Sequence, residues 1–261
     1  EYAVYFDYVN GDGLYGNSYE LSKGLDASGI PYVLDIHNDH GIYLDKPTLS
    51  VPDKKEGRGR PAKHLRANSE KITVRDYVKN LQSSDFKEVK IRPTSKGWLT
   101  ALVHVATVWI WDEASGDTEL IQHTLVYRKP LRKSDKEKYS LSNIEKDSQS
   151  VDLFAFMQAQ RFWIEKTFRD DNHDLGMSDY QIRKWKGWHN HMAMTSLAML
   201  FVLEQRLKYK DQLPLLSCND VREVLISIFL HDGRNFDEKI KQMHKRHKQR
   251  ANDTARYYKR E

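Results

Sequence analysis

Residues 158–188 read QAQRFWIEKTFRDDNHDLGMSDYQIRKWKGW, and polar side chains recur in this stretch at steps of three, four and seven residues. These side chains are Gln158, Arg161, Glu165 and Asn172. Because each residue of an α-helix advances by about 100°, the spacing predicts that they share one narrow stripe of a single helix. We expect this stripe to face outward, with the Glu165 carboxylate next to an arginine.

The opposite side of this predicted helix is apolar. It carries Leu153, Phe156, Trp163 and Ile164, which we expect to pack against a core. A carboxylate binds hard divalent cations, and a guanidinium binds phosphate through a planar fork of donors. The pattern therefore favours a metal-binding acid whose neighbours hold a phosphate backbone.

The composition is that of a globular protein. With 261 residues, of which 39% are hydrophobic, the chain is long enough for one or two domains with a buried core. The 42 Lys and Arg exceed the 37 Asp and Glu by five, which permits a polyanionic partner without requiring one. The single cysteine, Cys218, cannot form an internal disulfide, which indicates a reducing compartment. Without an apolar run of membrane length or a signal-peptide core, we expect a cytoplasmic protein with no membrane partner.

The first residues predict a β-α-β unit. Ala3–Val9 has the apolar and aromatic character of a strand, and residues 10–13 (NGDG) are typical of a turn. Residues 18–27 predict a helix capped by Asn17 or Ser18, and Ile30–Leu34 predicts the next strand. Asp12 then lies at the carboxyl edge of the sheet, where α/β proteins bind ligands. Aspartate next to glycine is also a common turn former, so a purely structural role stays open.

The middle of the chain is predicted to be a β-rich insertion. Residues 53–66 (DKKEGRGRPAKHLR) combine basic side chains with Gly and Pro, as an extended basic loop does. Leu99–Trp111 and Glu119–Tyr127 predict two strands joined by a turn at residues 115–117.

Three tryptophans in this region have two interpretations. Trp98, Trp109 and Trp111 are suited to stacking on an unpaired base, but tryptophan in a strand is more often part of a core. We favour core packing for Trp109, and Trp98, beside Lys96, is the more open to a role in binding.

The rest of the chain is predicted to be helical, over residues 150–170, 187–209, 219–230 and 240–250. The last of these helices lies within a run of lysines, arginines and histidines. Such a run is usually a solvated helix face, although it also suits nonspecific contact with DNA.

Several separated motifs resemble the catalytic region of DDE-type insertion-sequence transposases, in the branch with the Tyr-Arg-Glu-Lys signature. The resemblance covers nearly the whole chain, and agreement of several motifs in one order is a specific signal. The motifs are GDGLYGNS (11–18), GRGRPAKHLRA (57–67), YSLSN (139–143), RFWIE (161–165), LGMSDYQIRKWKGWHNHM (175–192), SLAML (196–200) and PLLSCND (214–220).

The resemblance implies an RNase H-like α/β core in which three acids bind two Mg²⁺ or Mn²⁺ ions. Asp12 matches the second acid and Glu165 the third, while the first belongs to an earlier strand that this chain does not contain. We therefore expect the chain to begin within a domain and to be an incomplete portion, inactive in cleavage by itself. The implied divisions are residues 1–46 and 139–205 for the core, 47–138 for the β-rich insertion and 206–261 for a helical, basic end.

The implied activity is metal-dependent phosphodiester cleavage and strand transfer at transposon ends. The partners implied are the terminal inverted repeats and target DNA, bound by a homodimer in the bacterial cytoplasm at the nucleoid. The signature is altered at two positions, because Gln158 stands in place of tyrosine and Asn172 in place of lysine. Both can still hydrogen-bond a phosphate, but the missing lysine charge weakens the expected hold on DNA. The DNA-binding residues expected are Arg58, Arg60, Trp98, Gln158, Arg161, Asn172, Arg183, Lys184 and Lys186.

Two other functions stay open. His231 and Asp232 are adjacent, with His189 and His191 upstream and Asp237 downstream, and paired His and Asp can hold a transition metal in an HD-type phosphohydrolase. The absent first acid and Asn172 are equally compatible with a non-catalytic DNA-binding remnant of a transposase. For Arg183, Lys184 and Lys186, an exposed charged turn around packed tryptophans is the plain alternative to DNA contact.

Overall fold

The computed structural model describes residues 5–52, 63–94, 96–113, 118, 120–131, 136–181, 183–213, 215–230 and 236–259. The chain divides into two compact units. The first unit contains Glu1–Pro93 and Trp98–Arg161, and the second contains Thr94–Gly97 and Phe162–Glu261. Both strands and helices are present, so the mixed α/β class predicted from the sequence is confirmed.

The strands of the described residues are all short except for three. They are β1 Val9–Gly11, β2 Tyr32–Asp35, β3 Gly41–Ile42, β4 Leu49–Ser50, β5 Arg66–Ala67, β6 Ile72–Thr73, β7 Lys87–Thr94, β8 Gly97–Ile110, β9 Ile121–Pro130 and β10 Lys138–Ser142. The helices of the first unit are α1 Gly13–Gly16, α2 Tyr19–Ala27, α3 Val74–Lys79 and α4 Val151–Ala159.

Six strands form one sheet in the order β1-β2-β10-β9-β8-β7. The first two strands are parallel, with Gly11 opposite Leu34, and β2, β10, β9 and β8 pair antiparallel in succession. The strands β8 and β9, which the sequence assigned to an insertion, thus belong to the same sheet as β1 and β2. The pairs β3–β6 and β4–β5 form two small antiparallel ribbons.

The β-α-β unit predicted at the start is present, with one shift. The Ser18 side chain accepts a hydrogen bond from the Leu21 amide and caps α2, as predicted. The first strand, however, begins at Val9 and includes Gly11, which the sequence placed in a turn. Pairing with β2 explains the difference, because it satisfies backbone groups that a turn would leave to water. Residues 5–8 are not part of a strand, and residues 1–4 lie outside the described part of the chain.

Apolar side chains cover both faces of the sheet. On one face, Val33, Val103 and Val126 pack against Phe154 and Met157 of α4. The other face forms a second cluster that includes Ile42, Val74 at the start of α3, Val108, Leu125 and Leu141. Phe154 is fully buried, and burial of one such side chain contributes about 2–3 kcal/mol.

The prediction of one continuous helix across residues 150–170 is wrong. The chain forms two helices, α4 and α5 (Arg161–Asp174), that meet at Gln160. The prediction that the apolar side packs against a core is also wrong, because its four side chains are 37–48% exposed. These are Leu153, Phe156, Trp163 and Ile164. In α4 the buried face is instead the one that carries Phe154, Ala155 and Met157, since these side chains meet the sheet.

The second unit is helical. Its helices after α5 are α6 Trp185–Lys208, α7 Cys218–Leu230 and α8 Phe236–Tyr258, which confirms the three helices predicted there. Val202, Leu216, Cys218, Val221 and Met243 form its core. Burial raises the pKa of the Cys218 thiol to about 11, so this cysteine is a packed thiol rather than a reactive one. None of the helices in the described stretches combines the length and the apolar character that crossing a membrane requires.

Asp220 joins α7 to α8. Its Oδ2 accepts hydrogen bonds from the Ser217 hydroxyl at 2.7 Å and from His247 Nε2 at 3.1 Å, while Arg246 Nη2 lies 3.0 Å from Oδ1. Burial opposes ionisation of this carboxyl, but the hydrogen bonds from Ser217 and His247 outweigh it, so the pKa of Asp220 is lowered. The buried Asp171 shows the opposite behaviour: burial, with repulsion from Asp170, raises its pKa.

Replacement of these two acids by asparagine is expected to have opposite effects at pH 7. A lowered pKa means that ionised Asp220 stabilises the fold above about pH 4, and this stabilisation is lost as pH falls through the folded-state pKa. Asp220→Asn should therefore lower the free energy of unfolding at pH 7 by about 1–3 kcal/mol. A raised pKa means that ionised Asp171 costs stability at pH 7, so Asp171→Asn should leave stability unchanged or raise it.

Urea unfolding of both variants between pH 3 and pH 8 measures these effects. The difference between Asp220→Asn and the parent should shrink as the pH falls below about 4, because the carboxyl of the unfolded chain then takes up a proton more readily than the folded one. If Asp171→Asn destabilised the chain at pH 7 as much as Asp220→Asn, the environments assigned to the two carboxyls would be wrong.

Candidate functional site

Two acids lie at the carboxyl edge of the parallel strands β1 and β2. Asp12 directly follows β1, and Asp35 is the last residue of β2. Since Gly11 is in register with Leu34, the next step along each strand brings Asp12 and Asp35 to the same level of the sheet. This is the edge at which α/β sheets bind ligands.

Asp12 holds the turn after β1. Its carboxylate accepts a hydrogen bond of 3.0 Å from the Leu14 amide, and its carbonyl oxygen accepts from the Tyr15 and Gly16 amides. Asp12 is therefore the N-cap of α1, and the turn-forming role that its neighbouring glycines indicated is real. The side chain is half-buried, and none of the ion pairs within the described part of the chain involves it. Its negative charge is thus available to a cation.

Asp35 differs from Asp12, because two basic side chains already balance the negative charge of its carboxylate. Its side chain is nearly buried, and Ser140 Oγ donates to Oδ1 over 2.6 Å. Arg161 Nη1 lies 2.8 Å from Oδ2, and Lys138 Nζ lies 3.4 Å from the same oxygen. This network connects β2, β10 and the first residue of α5, and it fixes the direction of the Arg161 side chain.

Gln158 does not occupy the outward position predicted for it. It is 3% exposed, and its Nε2 donates to Ser140 Oγ at 2.8 Å and to the Val126 carbonyl at 3.2 Å. The helix break after Ala159 explains this, because Gln158 lies on the face of α4 that meets the sheet. Gln158 is thereby connected through Ser140 to Asp35, the carboxylate that pairs with Arg161.

The other predicted residues fall in different parts of the molecule. Asp12 and Arg161 belong to the first unit and Glu165 to the second, so a shared ion between Asp12 and Glu165 remains a prediction. Residues expected to face solvent do so in the second unit: Glu165, Asn172, Arg183, Lys184 and Lys186 are all exposed.

The tryptophans of the sheet differ in burial. Trp98, at the start of β8, and Trp109 are half-buried, whereas Trp111 is 3% exposed. Lys46 Nζ lies 5.1 Å from the centroid of the Trp109 ring. Arg58 and Arg60, together with the predicted turn at residues 115–117, lie outside the described residues.

Nothing further supports an HD-type metal site. His189 packs edge-on against Trp185 with ring centroids 4.3 Å apart, and His191 Nε2 lies 3.0 Å from the Gly176 carbonyl oxygen. His231 and Asp232 are outside the described residues. Among the residues that are described, no group of three or more His, Cys, Asp or Glu side chains is arranged to hold a metal ion.

The network around Asp35 was not predicted from the sequence. A signal for it existed, since Asp35 ends the strand YVLD (32–35) at the same edge as Asp12. The partners Ser140 and Arg161 are more than a hundred residues away, and no local pattern connects them to Asp35.

The comparisons with known proteins leave the family open. No protein-family model matches the chain, and no curated protein matches it at a significant level. The resemblance to transposases therefore rests on the motifs of this sequence alone.

Proposed function

We propose that the chain is the greater part of an RNase H-like DNA transposase, which cleaves phosphodiester bonds at transposon ends and transfers the freed strand to target DNA. The observation that carries this proposal is the contrast between two acids at one sheet edge. Asp35 is ion-paired with Arg161 and Lys138, while Asp12 has no ion pair with any residue that the structure describes. A carboxylate like that of Asp12 is suited to binding a divalent cation.

The local architecture supports this assignment. The parallel strands β1 and β2, connected by α1 and α2, carry Asp12 at their carboxyl edge, and α4 packs on the sheet before the chain enters α5. Glu165 lies in α5, four residues after Arg161. We propose that Asp12 and Glu165 converge on Mg²⁺ or Mn²⁺, completed by an acid from an earlier strand.

The chemistry of the two side chains fits such ions. Both are carboxylates, the oxygen ligands that Mg²⁺ prefers, and both reach solvent. When bound, a pair of ions supplies positive charge to the attacking and the departing oxygen of the phosphodiester. Asp12 then has two tasks, because one of its carboxylate oxygens also caps α1 and thereby fixes the position of the side chain.

Basic and polar residues have the task of holding DNA. In this proposal Arg161, oriented by Asp35, contacts the phosphate next to the scissile bond. Arg183, Lys184, Lys186 and Asn172 contact the backbone from exposed positions of the second unit. The partners proposed are transposon-end and target DNA, held by two copies of the protein.

Binding of Mn²⁺ to the chain, measured by electron paramagnetic resonance in the presence of duplex DNA, tests the metal site. Asp12→Asn should weaken Mn²⁺ binding at least about tenfold, since asparagine retains the helix cap but not the charge. Glu20→Gln removes an exposed acid from the same unit and is the matched control, with no expected change. Equal Mn²⁺ affinity in Asp12→Asn and the parent would overturn the proposal.

A further inference from the structure

The start of α6 presents an exposed pair of stacked tryptophans. Trp185 is 73% exposed and Trp188 38% exposed. Their ring centroids are 5.3 Å apart and their planes differ by 15°, which is a stacked arrangement. Trp188 stacks on one side of the Trp185 ring, and the large exposed area of Trp185 is available to another flat group.

Neighbouring residues hold this pair in place. The His189 ring packs edge-on against both indoles, with centroids 4.3 Å and 5.0 Å away. Tyr180 Oη donates to the Lys184 carbonyl over 2.8 Å, which fixes the residue that precedes the helix. The Tyr180 ring in turn lies 5.3 Å from that of His191. The platform is therefore ordered before a ligand arrives, so binding costs little side-chain entropy.

The charged residues that adjoin the two tryptophans in the sequence are positive, and Asp179 is the nearest acid before them. Arg183, Lys184 and Lys186 are exposed beside the two tryptophans, and the sequence has no Asp or Glu between residues 180 and 203. A flat ring available for stacking beside a cluster of cations matches an unpaired nucleobase beside its phosphates. Core packing, the plain interpretation of these tryptophans, does not apply to a ring that is three-quarters exposed.

We propose that Trp185 binds an unpaired base at the end of a DNA duplex by stacking, with Trp188 behind it and the cations on the adjoining phosphates. This inference rests on the proposed function, because it specifies the form of DNA that the protein holds. It predicts a preference for duplex ends with unpaired nucleotides over blunt ends.

The test measures the affinity of the whole chain for two labelled duplexes by fluorescence anisotropy. One duplex is blunt, and the other carries a three-nucleotide single-stranded end. The parent should bind the second about 5- to 100-fold more tightly, the range that stacking of one base provides. Trp185→Ala should reduce this ratio to within about twofold of unity without changing affinity for the blunt duplex, and Trp185→Phe should retain part of the preference.

Two controls separate stacking from charge and from folding. Phe229→Ala removes a ring that is 75% exposed elsewhere in the second unit and should leave the ratio unchanged. Lys186→Ala should weaken both duplexes equally, as loss of a phosphate contact does. Far-UV circular dichroism verifies that each variant is folded.

The outcomes that overturn the inference are distinct from those that overturn the proposed function. If the parent binds both duplexes equally, or if Trp185→Ala keeps the preference, the stacking site is wrong while the DNA-binding proposal stands. If the parent binds neither duplex, both fail. Tighter binding of an RNA strand than of the DNA end overturns DNA as the ligand, and self-association that Trp185→Ala abolishes identifies the patch as a protein contact instead.

Discussion

Asp12→Asn and Glu165→Gln are each expected to abolish DNA cleavage and strand transfer, while affinity for duplex DNA changes by less than about threefold. Each substitution keeps the size of the side chain and removes the charge that a divalent ion requires. Loss of a metal contribution of several kcal/mol to the transition state corresponds to a rate reduction of at least about a thousandfold. The assay is single-turnover cleavage of end-containing DNA, in a form of the protein that supplies the first acid.

Asparagine at position 12 isolates the metal role from the structural one. It is as good an N-cap as aspartate, so the hydrogen bond to the Leu14 amide is retained and the thermal midpoint should stay within about 2 °C. Asp12→Ala is the matched comparison, because it removes both the cap and the charge and should also lose about 1 kcal/mol of stability. Cleavage at the parental rate by Asp12→Asn or Glu165→Gln would show that these acids are wrongly assigned.

The sequence predicted the elements that depend on local chemistry. Ser18 caps α2 and the apolar run ending at Leu34 forms β2, because a helix cap and a short apolar run are both signals between near neighbours. The break at Gln160 is of another kind. No glycine or proline marks it, and the turn of α4 that carries Gln158 faces the sheet through contacts with β9 and β10. Helical periodicity alone cannot detect such a change of direction.

For a similar reason, the sequence predicted one of the two acids at the sheet edge, Asp12, but not the network around Asp35. Asp12 followed from a strand that ends in a glycine-rich turn, a local signal. The ion pair of Arg161 with Asp35 could not be predicted in this way, since the two residues are 126 positions apart in the sequence. The sequence assigned Arg161 to phosphate alone, and the structure adds that a buried carboxylate orients it.

Gly16→Ala is expected to destabilise the first unit strongly. Gly16 is the last residue of α1 and lies in close contact with the backbone of β2. A Cβ at this position would lie 1.9 Å from the Asp35 carbonyl oxygen and 2.8 Å from the carbonyl carbon. Both atoms belong to the backbone of a central strand, so neither can rotate away. The overlap forces α1 off the sheet, at a cost of about 3 kcal/mol or more, and lowers the thermal midpoint by about 10 °C.

Gly24→Ala is the matched control for this prediction. Gly24 lies inside α2, and a Cβ there would meet no atom within 4 Å. Alanine is the better helix former, so this variant should gain about 0.5–1 kcal/mol. Because Asp12 caps α1, displacement of α1 by Gly16→Ala should also weaken Mn²⁺ binding, whereas Gly24→Ala should not. If both variants raised the thermal midpoint, the close contact of α1 with β2, and with it the position of the Asp12 carboxylate, would be wrong.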